Sequence, residues 1–91
     1  MPMSRDSVEP EVRDAWEHSR VLVGGRVRKL RLDAGLTQEA LALESGLSRN
    51  VLIELERGRR SVLFERLYDL ARALEVPITA LVATEEGPDG E

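Results

Sequence analysis

The sequence predicts an all-α fold of short helices, and three observations carry that prediction. Apolar residues recur at three- and four-residue intervals along most of the chain. Hydroxyl residues and glycines punctuate the pattern where helices would start and stop. The composition is 42% hydrophobic with one Trp, one Tyr and one Phe, which suits an aliphatic helical core better than a sandwich or barrel. A chain of 91 residues allows one small domain with a modest core, which pairing with a second copy would help.

Each element can be justified in turn. After a polar tip, Pro10 suits a first helical turn, and Val12, Ala15, Trp16 and Ser19 fall on one face beyond it. Gly24-Gly25 are expected to weaken or break this helix, making it an extra N-terminal helix. Val27, Leu30 and Ala34 mark the next helix, which Gly35 should terminate. Thr37 and Ser48 each precede a helix-forming run, where a side-chain oxygen can accept a bond from an unpaired first-turn amide. Between them Gly46 occupies the sharp turn, a position suited to positive φ. Leu41, Ala42 and Ser45 on the first of these helices, and Leu52 and Leu55 on the second, give each one inward stripe. Residues 36–58 therefore spell a helix-turn-helix, with the outer face of its second helix left free. A basic linker, Arg59-Arg60-Ser61-Val62, leads to a helix whose stripe is Leu63 or Phe64, Leu67, Leu70, Ala71 and Leu74. Val76-Pro77 should end it, because the residue before proline disfavours helix. A last turn over Ile78 to Val82 would face Leu81 inward, and the Glu-Glu-Gly-Pro-Asp-Gly-Glu tail has the composition of a disordered end. The expected organisation is an extension over residues 1–20, helical from Pro10, a helix-turn-helix domain over 21–82 and an acidic disordered tail over 83–91.

The formal net charge of −4 is at first sight wrong for a ligand of phosphate backbones. The acid, however, is concentrated in the two ends, while residues 21–82 hold ten basic against eight acidic side chains, a balance of +2. Arg57, Arg59 and Arg60 cluster just past the second helix of the helix-turn-helix, and this position gives the cluster its weight. The chain has no cysteine and a single histidine, His18, so neither a disulfide framework nor a metal cluster is expected, and no cofactor is implied. No glycine-rich phosphate loop and no nucleophile beside a plausible base is present, so an enzyme is not expected. No apolar run is long enough to cross a bilayer and Met1 to Ser7 is no signal segment, so a cytoplasmic location and no membrane partner are expected.

With Ser48 as the cap, Arg49 and Asn50 lie on the first exposed turn of the second helix, and Ile53 and Glu54 lie one turn further. These four are the candidates for reaching base edges in a major groove of double-stranded DNA. Arginine suits the paired acceptors of guanine, and asparagine the donor and acceptor of adenine. Ile53 could touch only a thymine methyl, while Glu54 could accept from a cytosine amine or pair with Arg57 or Arg60 on the helix surface. Thr37 and the amides at its helix start could hold phosphate, as could Ser48, Arg57, Arg59, Arg60 and Ser61.

In order and spacing, Arg31, Gly35-Leu36-Thr37-Gln38-Glu39, Leu41-Ala42, Gly46-Leu47-Ser48, Leu55-Glu56-Arg57-Gly58 and Leu70-Ala71-Arg72-Ala73-Leu74-Glu75-Val76 form one pattern. Residues 22–82 thereby resemble the five-helix DNA-binding domain of the phage repressor and Cro family, also called the xenobiotic-response-element family. The resemblance implies a transcriptional regulator that binds a two-fold operator as a homodimer. It also implies that Gln38 bonds a phosphate and braces the recognition helix, and that Arg31 and Glu56 form a mostly buried structural salt bridge.

Two departures from the family pattern leave a rival from another class open. Val62-Leu63-Phe64 makes the loop more apolar than the family pattern, and Val51 and Ile53 make the recognition helix less polar. Such groups could read thymine methyls or could mark a protein contact, as in a partner-binding, antitoxin-like module on the same fold. In the extension, Trp16 with Val12 and Ala15 is expected to anchor against the domain or a sister subunit, and His18 to be a surface polar residue.

Overall fold

The computed structural model describes residues 8–83; residues 1–7 of the expected polar tip and all but the first residue of the expected acidic tail lie outside them. Among the described residues the fold is all-α, with five helices in the order α1 (Pro10–Asp33), α2 (Gln38–Ser45), α3 (Arg49–Glu56), α4 (Phe64–Leu74) and α5 (Thr79–Val82). Helix α2 packs on α3 and α4, while α1 lies across α3 and also touches α4 and α5. Val27, Leu41, Leu52, Leu55, Leu70 and Leu81 are the largest fully buried side chains, so every helix contributes to one aliphatic core.

The caps and turn form as the sequence predicts. Thr37 Oγ1 accepts from the Ala40 amide at 3.0 Å, and Ser48 Oγ accepts from the Val51 amide at 3.1 Å. Gly46 takes φ 79°, and its amide donates to the Ala42 carbonyl at 2.9 Å, closing α2. Arg66 adds a tie from α4, donating from Nη2 to the Gly46 carbonyl at 2.6 Å.

Two expectations are corrected. Gly24-Gly25 do not break the first helix, and α1 runs unbroken for 24 residues, so the extension is a prolongation of α1 rather than a separate helix. The reason lies at Gly24, where a Cβ would sit 2.0 Å from the Leu55 carbonyl oxygen. Glycine is there so that the backbones of α1 and α3 can touch, and the packing gained outweighs a local penalty of about 1 kcal/mol per residue. Helix α4 ends ahead of Val76-Pro77 as expected, stopping at Leu74 with Glu75 at φ 59° and the Val76 amide bonded to the Ala71 carbonyl at 3.0 Å. That left-handed exit turns Val76 and Ile78 back onto the core. At the other end of α4 neither Leu63 nor Phe64 joins the stripe; they are 71% and 65% exposed, and burial begins with Leu67.

The N-terminal half of α1 stands clear of the core. Val12, Ala15, Trp16 and Ser19 are all exposed, Trp16 by 50%, so the expected anchoring of Trp16 inside the domain is not made. No helix among the described residues is long and apolar enough to cross a membrane.

Candidate nucleic-acid interface

Helix α3 is held at its two ends. At its start, Ser48 leaves the amides of Arg49 and Asn50 without intrahelical partners, and both side chains are exposed. At its end, Glu56 is gripped from two directions. Arg31 Nε lies 2.7 Å from Glu56 Oε2 and Nη2 lies 3.1 Å from Oε1, while Gln38 Nε2 donates to the same Oε1 at 3.1 Å. Arg31 Nη1 also donates to the Leu36 carbonyl at 2.9 Å. The two charged side chains are 9% and 3% exposed, so this network is the buried fork joining α1, α2 and α3 that the resemblance implies for Arg31 and Glu56.

Among the candidate base-reading residues, Arg49 and Asn50 are exposed, whereas Ile53 and Glu54 are half-buried. Glu54 makes no ion pair with Arg57 or Arg60 among the described residues, so the surface-pair alternative for it is not realised. Arg49 does have a partner. Its Nε lies 2.9 Å from Glu39 Oε2, with both side chains more than half exposed. An exposed pair of this kind is worth at most about 1 kcal/mol, so Arg49 can exchange Glu39 for a better acceptor.

The candidate phosphate-binding residues fall into two groups. Thr37, Gln38 and Ser48 line up at the starts of α2 and α3, where free amides and helix dipoles favour an anion. The Gln38 amide already spends one hydrogen on Glu56, which leaves its second hydrogen and its backbone amide for a phosphate. Arg57, Arg59, Arg60 and Ser61 are exposed on the segment leaving α3. That segment is fixed by Gly58, at φ 74°, whose amide donates to the Leu55 carbonyl while the Arg59 amide reaches Glu54, each at 3.0 Å. A Cβ on Gly58 would lie 2.9 Å from the Val21 Cα, so α1 buttresses the segment directly.

Sequence reasoning missed three features here. The Glu39–Arg49 pair joins different helices and leaves no signal in either one's periodicity. Arg66, which entered only as one of the ten basic residues of 21–82, caps the turn. Arg13 and Arg20 of the extension share a groove with Arg59 and Ser61. No group of three or more His, Cys, Asp or Glu residues able to hold a metal occurs among the described residues.

A family model described as Helix-turn-helix matches residues 27–81, from the last two turns of α1 through α2, α3 and α4 and into α5. The chain belongs to the helix-turn-helix family. An HTH-type transcriptional regulator of Sinorhizobium fredii, y4dJ, is 47% identical to this helix-turn-helix chain over 72 residues, covering 78% of this chain and 94% of the relative. The restriction-modification controller protein C.AhdI from Aeromonas hydrophila superposes with a TM-score of 0.68 at 41% identity, over 70% of this chain and 97% of that one. The controller protein C.Esp1396I, solved as a tetramer in complex with its natural 35-base-pair operator, matches with a TM-score of 0.61 at 34% identity, over 64% of this chain and 76% of its own. This helix-turn-helix protein is a DNA-binding transcriptional regulator of Cro/C1 type.

Proposed function

We propose that the protein reads a palindromic operator as a homodimer, with residues 48–57 in the major groove. The observation that carries this reading is the presentation of α3. Its first turn is capped and exposed at Ser48, Arg49 and Asn50, while its last turn is locked by Arg31, Glu56 and Gln38. A helix held rigidly at its base can place side chains on base edges with the precision that discrimination requires. Arg49 and Asn50 contact bases, with Ile53 and Glu54 at the margin of the footprint. Thr37, Gln38 and Ser48 hold phosphate on one side of the groove, and Arg57, Arg59, Arg60 and Ser61 hold it on the other. A symmetric dimer places its half-sites about 34–36 Å apart.

Selection from a randomised duplex pool at ~150 mM salt, where nonspecific binding weakens, tests this reading. The expected result is an inverted-repeat site whose preference at single base pairs falls by ~1–3 kcal/mol when Arg49 or Asn50 is replaced by alanine. The exposed Leu63 and Phe64, with Tyr68 packed edge-on to Phe64 at 6.5 Å, favour a second reading as a partner-binding module. A pool that yields no enriched sequence, together with a stable heteromeric complex lost on Leu63→Ser or Phe64→Ser, would decide for that rival.

A further inference from the structure

The inner face of α1 does not stop where the core stops. Val27 and Arg31 carry that face into the core, and the same face continues toward the N-terminus through Arg20, Trp16 and Arg13. There it overhangs the segment leaving α3, and a groove of ≈ 660 Å³ opens between them. Arg13, Trp16, Ser19 and Arg20 line one wall, Arg59 and Ser61 the other. Among the described residues no carboxylate lines it, and none of the three arginines is in an ion pair. Helical periodicity puts Glu11 and Asp14 on the outer side of α1; Glu17 flanks the groove and Glu9 caps α1 one turn before Arg13, and neither lines it.

We infer that this groove is a second DNA-backbone clamp, in which Arg13 and Arg20 extend the phosphate contacts of Arg59 and Ser61 along the strand that flanks the operator. The inference rests on the operator-reading function proposed above. Three guanidinium groups and two hydroxyls form a set of donors with no acid among the lining residues, which is the chemistry of a phosphodiester site. Arg13 and Arg20 are seven residues apart on one face, roughly 10 Å along the helix, a spacing that matches a run of backbone phosphates better than one small anion. Arg59 ties the groove to the reading helix, because Gly58 packs against Val21 and so couples the segment's position to α1. The acidic balance of the whole chain, −4, conceals this local excess of positive charge.

The test is the salt dependence of binding by the full chain with Arg13→Ala and Arg20→Ala combined, on the selected operator and on an unrelated duplex. The slope of log K against log salt should shrink in magnitude by about 1.8 per bound protomer, because each phosphate contact contributes about 0.9. The loss of affinity per protomer between 50 and 200 mM salt then becomes about tenfold smaller than for the parent. Base preference should be unchanged. Trp16, the one tryptophan of the chain, gives a second readout that needs no variant: duplex should shield its fluorescence from acrylamide. An unchanged slope, or a Trp16 equally quenched in the saturated complex, overturns the clamp while leaving the operator reading intact. A parent protein without sequence preference overturns both. A variant that alters self-association by sedimentation without altering the slope also overturns the clamp, and assigns the groove to contact between copies.

Discussion

Replacing Gly24 and Gly25 one at a time by alanine should move stability in opposite directions. Both lie inside α1, where alanine exceeds glycine in helix propensity by about 1 kcal/mol. At Gly25 a Cβ has nothing within 4 Å, so only the propensity gain operates. At Gly24 the Cβ would lie 2.0 Å from the Leu55 carbonyl oxygen and 3.2 Å from the Glu56 carbonyl carbon. Real Cβ contacts stay above 3.0 Å, so the helices must part by about 1 Å. Both contacts are backbone, and no side-chain rotation relieves them. Overpacking of this kind costs ~1–3 kcal/mol, which exceeds the propensity gain, and it pushes directly on the end of α3 where Glu56 meets Arg31. Thermal unfolding followed by circular dichroism should raise Tm for Gly25→Ala by roughly 4–8 °C and lower it for Gly24→Ala, each kcal/mol being worth about that much in a domain this size. A Gly24→Ala protein as stable as Gly25→Ala would refute the claim that close backbone approach, rather than chance, keeps glycine there.

Three further sets of substitutions probe the scaffold of α3. Arg31→Ala leaves Glu56 buried without its cation and should cost about 3–5 kcal/mol in urea unfolding, whereas Arg31→Met with Glu56→Leu should recover most of the loss. Ser48→Ala removes the bond to the Val51 amide and should lower stability by about 1 kcal/mol in the same assay, a null effect being the result against it. Glu39→Gln frees Arg49 from an exposed pair; a double-mutant cycle with Arg49→Ala should return a coupling below about 1 kcal/mol, and a value of several kcal/mol would contradict an exchangeable Arg49.

The apolar departures from the family pattern take different parts in the fold. Val51, Ile53 and Val62 are half-buried, and Val62 packs against the core cluster, so part of the apolar character in and near α3 supports the domain. Leu63 and Phe64 have no such role and remain exposed beside the start of α4. The partner-binding reading therefore narrows to these two residues and Tyr68, a smaller patch than the sequence suggested.

By itself the sequence determined the features that depend on residues a few positions apart: the caps at Thr37 and Ser48, the left-handed turn at Gly46, and the inward stripes of α2, α3 and α4 from Leu67 onward. Each is set by one helical turn of neighbours, whose hydrogen bonds and periodicity are written consecutively along the chain. The pattern of Arg31 through Glu56 also let the family's buried pair be placed before any geometry was known. Only the tertiary structure decided that α1 continues through two glycines, that Glu39 holds Arg49, that Arg66 closes the α2 turn, and that Arg13 and Arg20 meet Arg59 across a groove. These pairings join residues from ten to more than forty positions apart. No local propensity records which backbones will touch, and a helix penalty of about 1 kcal/mol is too small to outweigh the packing of one helix directly upon another.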